Sequence, residues 1–410
     1  MTKKILIYLF TAKELFVASI FFCTIIETQA QQAPPKIDSA TEARIVALEK
    51  QVSLHKPGQS RLLVVGLTTF GYQSNRIETT TGGVTEVSKS GSLGGSTYEF
   101  SPMFLFRQGK KVLVEFEPSF NNDGLGVNWA AISYFARPNF ILRGGYFVLP
   151  FGIYTKKLAA GWINKVATDP IGLPTGADYG VGISGGLPLQ GMKWNYDLSL
   201  TNGMTLMSDG TLSNVNLGSA SRSKTFTGRL GLLPFSDNSL EIGASMMTGE
   251  VANGQQQFLG TQANLYAFDF NYVKNYMPFQ VNVKSQFNMT NIGSQNYVNP
   301  QDTTKRYSFS NQSKSVYGQF SLRPIGAQSE FIKNMEFAVR VGNYNSPANS
   351  TWGSNTTQMD YGINYWINWR TVVRVTYEII DRKSTVDPEL ITGPDEIKTY
   401  AWHFQFSVQL

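Results

Sequence analysis

The C-terminal stretch YAWHFQFSVQL, residues 400–410, alternates large apolar side chains with small or polar ones. Successive side chains of a β-strand point to opposite faces, so a period of two predicts a strand with one aromatic and aliphatic face and one polar face. A strand of this kind separates an apolar surrounding from a polar one.

The same alternation recurs in at least four other segments, residues 111–117, 279–287, 335–341 and 372–379. In each of them the polar face also carries charge. About 16 such segments can be counted, centred near residues 67, 103, 115, 131, 145, 183, 197, 229, 244, 268, 284, 319, 340, 362, 376 and 404. Their spacing suits strands of about 9–11 residues that cross a membrane at a tilt.

The connections between these segments fall into two classes. Long polar ones cover residues 74–95, 151–178, 204–221, 250–260, 290–312 and 383–397, and short ones such as 108–110, 137–139, 189–191, 236–238 and 368–369 lie between them. Long loops at one end and tight turns at the other are typical of membrane barrels. Hydrocarbon offers no hydrogen-bond partner, so the sheet must close. The sequence predicts an all-β, 16-stranded antiparallel transmembrane β-barrel, give or take two strands.

The residues before the barrel divide into two predicted parts. Residues 1–30 have the basic start, apolar core and small-residue end of an export signal peptide. Residues 31–57 contain the capping box Ser39–Glu42, followed by Ile45, Leu48 and Val52 at helical spacing. They predict a short periplasmic helix, which is either a coiled-coil segment that helps a trimer assemble or a solvated helix. Residues 58–410 form the predicted barrel.

Composition excludes several classes of protein. Only 16% of the residues are charged, against roughly 25% in soluble domains. The formal charge of +6 is mild and contains no run of like charges, so no nucleic-acid partner is expected. The single cysteine, Cys23, falls in the leader, and the only histidines are His55 and His403. We expect no metal, no cofactor and no enzymatic activity, and a hydrolase built on a barrel is the weaker alternative.

The polar inner face of a barrel this wide predicts a water-filled channel, because side chains cannot fill it. Alternation assigns both signs of charge to the predicted pore wall: Arg143, Lys193, Arg229, Lys284, Arg340, Arg374, Glu115, Glu117 and Asp360. Two interpretations stay open. Opposed acidic and basic walls would create a transverse field, whereas paired charges would merely solvate the wall.

Residues 142–154, LRGGYFVLPFGIY, resemble the G-x-F-x-x-P-F-G motif of the phosphate-selective porin O and P superfamily. The low charge and the Asn-, Tyr- and Gly-rich loops look like those of Bacteroidota-type outer-membrane proteins. The resemblance implies a passive, trimeric diffusion channel for small hydrophilic solutes, surrounded by the lipid of a Gram-negative outer membrane. The sequence departs from the superfamily because it lacks an arginine-rich constriction, which puts phosphate specificity in doubt.

The resemblance also implies that residues 151–178 fold into the lumen as a constriction loop. That loop would contribute Tyr154, Lys156, Lys157, Trp162, Lys165 and Asp169. Its lysines predict a mild preference for anions. The alternatives are an ordinary extracellular loop at this position and, for the whole chain, a substrate-specific transporter of the phosphate, sugar or fatty-acid type.

Overall fold

A computed structural model describes residues 61–94, 98–122, 124–157, 163–174, 176–189, 191–213, 224–252, 255–390 and 393–410. The predicted leader and the predicted periplasmic helix lie outside these ranges. Within them, no helix is long and apolar enough to cross a membrane.

Sixteen strands form the wall of a closed antiparallel barrel, and each of the sixteen predicted centres falls in one of them. The wall strands are β1 (Arg61–Thr81), β3 (Glu99–Gln108), β4 (Val112–Asn121), β5 (Gly124–Arg137), β6 (Phe140–Val148), β7 (Ala177–Leu189), β8 (Met192–Thr201), β11 (Thr225–Leu233), β12 (Leu240–Glu250), β13 (Gln262–Tyr276), β14 (Phe279–Val298), β16 (Lys314–Arg323), β17 (Met335–Asn345), β18 (Ser354–Asn368), β19 (Thr371–Ser384) and β20 (Glu396–Gln409).

The barrel closes where its first wall strand meets its last. β1 pairs with β20 from Leu67 opposite Gln409 to Thr80 opposite Glu396. On its other side, β1 pairs with β3 over 61–69. This closure leaves neither strand as a free edge in the wall, so the predicted 16-stranded barrel is confirmed.

Four additional strands lie in the long connections: β2 (Val84–Leu93), β9 (Thr205–Leu206), β10 (Leu212–Ser213) and β15 (Arg306–Asn311). Two of them correct the sequence prediction. Residues 74–95 and 290–312, expected as loops, are largely hairpin, because β2 continues the pairing of β1 and β15 that of β14. Gly82 and Gly83, both at positive φ, make the tight turn that glycine favours in such hairpins.

In the part of the chain that the structure describes, helix occurs only as short turns. These are α1 (Tyr154–Lys157), α2 (Glu330–Lys333) and a 3₁₀ turn at Gln256–Phe258. The long and short connections mostly alternate along the wall as predicted, with two exceptions. β4 and β5 are joined by a short turn at the end that otherwise carries long connections, and residues 324–334, which contain α2, form a longer connection at the end with the short turns.

The two faces of the wall differ as the period of two requires. On β17, Phe337, Val339 and Val341 are exposed on the outside, whereas the intervening Arg340 is fully buried inside. The same contrast runs through β18 and β19. The outside therefore offers hydrocarbon an apolar surface, and the inside carries the hydrogen-bonding groups.

An apolar cluster fills part of the barrel at the end with the long connections. Inward residues of β12–β14 pack there against the starts of two long connections and against β15. Its buried members are Leu149, Phe151, Met204, Leu206, Met247, Val251, Ala252, Phe258, Ala263, Leu265, Ala267, Ile292, Tyr297 and Phe309. This cluster was not predicted from the sequence, because the period of two predicts a polar inner face along every strand. The cluster gives the segment that follows Leu149 a fixed point of entry.

Candidate functional site

The connection between β6 and β7 enters the barrel beside β12 and β14. The backbone N–H of Gly152 donates to Ser245 Oγ at 3.0 Å, and those of Ile153 and Tyr154 donate to Gln286 Oε1 at 2.9 and 3.1 Å. Gly152 has φ +66° and lies so close to Gln286 that an added Cβ would be 2.1 Å from its Nε2. Glycine is required here by both conformation and space.

Further along, residues 164–171 lie against the inner face of β17, β18 and β19. Asn364 Nδ2 donates to the carbonyl oxygen of Lys165 at 2.9 Å. Thr376 Oγ1 accepts the N–H of Ala167 at 2.9 Å, and Gln358 Nε2 donates to the carbonyl oxygen of Asp169 at 3.0 Å. These contacts join the connection to strands on the far side of the barrel from β6 and β7. We call residues 149–176 the inner loop.

Two buried arginines fix the inner loop to this wall. Arg340 donates to the carbonyl oxygen of Thr168 at 2.8 Å, and its Nε donates to Asp360 Oδ2 at 2.9 Å. Neither charged side chain of the Arg340–Asp360 pair is exposed. Arg374 donates to the carbonyl oxygen of Asn164 and to Gln405. Both guanidinium groups thus bind the backbone of the inner loop, and both side chains are buried.

Lys165, predicted to attract anions, is also held in an ion pair. Its Nζ lies 2.9 Å from Glu336 Oε1 and 4.8 Å from the centre of the Trp366 ring. Trp366 in turn donates its indole N–H to the other oxygen of Glu336 at 2.7 Å. The positive charge of Lys165 is therefore compensated by the carboxylate of Glu336.

Tyr154 and Asp169 meet inside the inner loop, where the phenol O–H donates to the carboxylate. Burial raises the pKa of Tyr154 well above its ordinary value, and the neighbouring charge of Asp169 adds to the effect. Tyr154 therefore stays a neutral donor across the physiological range. Asp169 itself is exposed.

The wall that does not carry the inner loop bears acidic groups. Glu99 of β3 and Glu115 and Glu117 of β4 lie on the inner face, opposite the outward Phe100 and Phe116. Glu115 accepts from Ser133 Oγ at 3.0 Å, and Glu99 accepts from Ser101 Oγ at 2.6 Å. The charges of Glu99 and Glu117 are near enough to interact. Among the described residues, no ion pair includes any of these three carboxylates.

Arg143 of β6 is the predicted basic residue on this side. Its guanidinium lies 5.0 Å from the Trp129 ring centre and 5.8 Å from that of Phe147. Its Nε donates to Ser133 Oγ at 3.4 Å. The same hydroxyl donates to Glu115, so one serine connects the acid and the base.

A cavity of about 330 Å³ separates the inner loop from the wall. Residues 164 and 166–169 line one side of it. Side chains of β1, β3, β19 and β20 line the other: Leu67, Thr69, Gln73, Glu99, Arg374, Glu378, His403 and Gln405. We call this cavity the passage; it lies between the inner loop and the wall.

The other predicted site residues lie elsewhere. Arg229 binds Asp269 at 2.6 Å and Glu241 at 3.0 Å within the wall. Lys284 is buried on β14, where its Nζ donates to Asn282. Lys193 lies at the end with the short turns, where it donates to Asn238 at 3.0 Å, away from the passage. Lys156 and Lys157 belong to α1, and Trp162 lies outside the described residues.

The neutral groups that anchor the inner loop were not predicted from the sequence, chiefly Gln286, Gln358, Asn364 and Thr376. Their inward position on the strands followed from the period of two. Their hydrogen-bond partners could not be predicted, because a hydrogen bond to a backbone group far away in the sequence leaves no local pattern.

Other chemistry has little support in the part of the chain that the structure describes. His403 Nε2 lies 3.0 Å from Glu378 Oε2 on neighbouring strands. Across those same described ranges, no group of three His, Cys, Asp or Glu side chains could hold a metal ion.

Comparison with known proteins identifies the fold. No protein-family model and no curated protein matches the sequence. Among solved structures, the chain is similar to an anion-selective porin from Comamonas acidovorans, with 13% identity and a TM-score of 0.52 over 86% of this chain and 100% of that one. It is also similar to the trimer form of OmpT, an outer-membrane protein of Vibrio cholerae, with 7% identity and a TM-score of 0.51 over 86% and 99% of the two chains.

A third structure, the outer-membrane channel DcaP of Acinetobacter baumannii, matches with 12% identity and a TM-score of 0.50 over 86% of this chain and 98% of that one. At these identities the likeness concerns the fold alone. The barrel is thus one that outer-membrane channels also use.

Proposed function

We propose that this protein is a porin of the Gram-negative outer membrane, which lets small hydrophilic solutes diffuse through it passively. One observation supports the proposal: a closed sheet with an apolar outside encloses hydrogen-bonding groups and a cavity of about 330 Å³ beside the inner loop. The inner loop acts as the constriction, since it leaves the wall and crosses the lumen. An enzymatic activity is not part of this proposal.

A homotrimer embedded in outer-membrane lipid is part of the same proposal. The matched OmpT structure is described as a trimer form. The exposed apolar surface of the barrel suits either lipid or a neighbouring copy of the chain. Chemical cross-linking in lipid vesicles should yield a ladder that ends at three chains.

The expected anion preference is not part of the proposal, because Lys165 is paired with Glu336 and the arginines of β17 and β19 bind the inner loop. A phosphate-specific passage has no support for the same reason, and neither has membership of the O and P superfamily beyond the short motif. The described residues of the constriction include no exposed row of guanidinium groups that could bind phosphate.

Vesicle swelling tests the proposal. Vesicles that contain the purified protein should swell in isotonic solutions of small neutral sugars, at rates that fall steeply as the sugar grows. A passage beside a fixed loop sieves solutes by size. Swelling rates no higher than those of protein-free vesicles, with protein proven folded, would contradict the proposed function.

A further inference from the structure

The charges of the lumen are sorted by sign between two environments. The basic groups beneath the inner loop are buried or paired: Arg340 and Arg374 bind its backbone, and Lys165 binds Glu336. Each of these contacts holds the inner loop in place. Arg340 and Lys165 are paired with Asp360 and Glu336, and Arg374 lines the cavity while it donates to Gln405 and to the carbonyl oxygen of Asn164.

The acidic groups have the opposite arrangement. Glu99, Glu115 and Glu117 are only partly buried, and Asp169 is exposed on the facing side of the passage. The hydrogen-bond donors to Glu99 and Glu115 are neutral hydroxyl and amide groups of Ser101, Ser133 and Asn128, which orient a carboxylate without cancelling its charge.

The acidic residues face each other across the opening. Glu99 and Asp169 both line the 330 Å³ cavity, one from the wall and one from the inner loop. Glu117 lies near Glu99, and Glu115 follows on the same face of β4. Arg374 lines the same cavity, where its guanidinium donates to the backbone of the inner loop, and Arg143 rests against Trp129. Among the described lining residues, the carboxylates of Glu99, Asp169 and Glu378 outnumber the single guanidinium of Arg374. An ion in the passage therefore meets more negative charge than positive.

The size of the effect follows from the dimensions of the passage. The Debye length is about 10 Å at 0.1 M salt, so an ion that passes within a few ångströms of these groups is poorly screened from them. A net charge of about two units at roughly 8 Å favours a cation over an anion several-fold, even at the dielectric constant of water.

We propose that the constriction prefers cations, and that Glu99, Glu115, Glu117 and Asp169 determine this selectivity. The solutes favoured are small hydrophilic cations, such as alkali-metal ions and alkylammonium compounds. The inference rests on the proposed function as a channel. It reverses the anion preference expected from the loop lysines, of which Lys165 is paired with Glu336.

Reversal potentials in a tenfold KCl gradient at pH 7.5 test the proposal in planar bilayers. The wild-type protein should show a K⁺ over Cl⁻ permeability ratio of about 3 or more. The combined substitutions Glu99→Gln, Glu115→Gln and Glu117→Gln should bring the ratio close to one. Glutamine keeps the size of the side chain and can accept the same hydrogen bonds. The matched control Glu330→Gln, at an exposed turn in α2, should leave the ratio unchanged.

Arg143→Gln gives a second test in the opposite direction. Removal of the guanidinium of Arg143 from the acidic wall should raise the K⁺ over Cl⁻ permeability ratio. Because this variant keeps the three carboxylates, it tests the proposal even if the combined variant does not fold. A conducting wild-type channel with a ratio at or below one would overturn the cation preference and leave the channel itself standing. A folded wild-type protein that does not conduct would instead overturn the proposed function.

Discussion

At the scale of single residues, the lumen contains few charges that are free to act on a solute. Arg340 is the clearest case. It is buried completely, it pairs with Asp360, and it donates to a carbonyl oxygen of the inner loop. Its sign and its inward position followed from alternation on β17, but its role did not. Only the folded structure shows which charged side chains are buried in ion pairs and hydrogen bonds and which are exposed to water.

Arg340→Met should therefore weaken the protein and widen its passage. The substitution leaves Asp360 buried without its partner, which typically costs about 3–5 kcal/mol of unfolding free energy. It also releases the inner loop at Thr168, so single-channel conductance should rise. Urea unfolding in vesicles and bilayer recording measure the two effects.

Arg370→Met is the matched control for that substitution. Arg370 stacks on Trp369 at 4.4 Å in an exposed turn, so its loss should cost less than about 1 kcal/mol and leave conductance as it was. Equal effects of the two substitutions would show that Arg340 does not hold the inner loop.

At the scale of elements, the strands were predictable and the connections were only partly so. A strand of a membrane barrel faces lipid on one side and the polar lumen on the other. Its sequence therefore alternates apolar and polar side chains with a period of two. Beyond the membrane both faces meet water. The continuations of β1 and β14 into hairpins with β2 and β15 therefore carried no such contrast, and they resembled polar loops.

Gly152 tests the entry of the inner loop into the barrel. Gly152→Ala should place a methyl group against Gln286 and displace the anchor, which changes conductance and lowers stability by more than the roughly 1–2 kcal/mol that a left-handed backbone alone costs. Gly260→Ala is the control, since Gly260 has φ +75° with nothing near its Cβ position. If both variants lose equal stability and conduct normally, the Gly152 contact does not position the inner loop.

A disulfide tests the far end of the inner loop. Ala167→Cys and Thr376→Cys should join readily, because the backbone N–H of Ala167 already lies 2.9 Å from the side chain of Thr376. The only natural cysteine is Cys23, so no thiol of the barrel competes. The cross-linked protein should migrate faster in non-reducing gels and conduct as the wild type does.

The pair Ala167→Cys with Val375→Cys serves as the control, since Val375 points to the other face of β19. A cross-link with Val375 and none with Thr376 would place the inner loop outside the lumen.

At the scale of the whole molecule, the proposed function depends on two features, the closure of the sheet and the partial filling of its interior. Among the described residues, a cavity of about 330 Å³ remains beside the inner loop, and the apolar cluster around Leu149 and Leu265 fills part of the barrel at the end with the long connections. Closure could be predicted from the need to leave no edge in hydrocarbon. The unequal filling could not, because it arises from contacts between connections far apart in sequence.

Single-channel recording of the purified, folded protein in a planar bilayer tests the central claim most directly. The account predicts discrete, stepwise ionic currents that grow in proportion to salt concentration, as expected for a permanent aqueous passage beside the inner loop. Bilayers that stay silent with protein shown to be folded and inserted would contradict it.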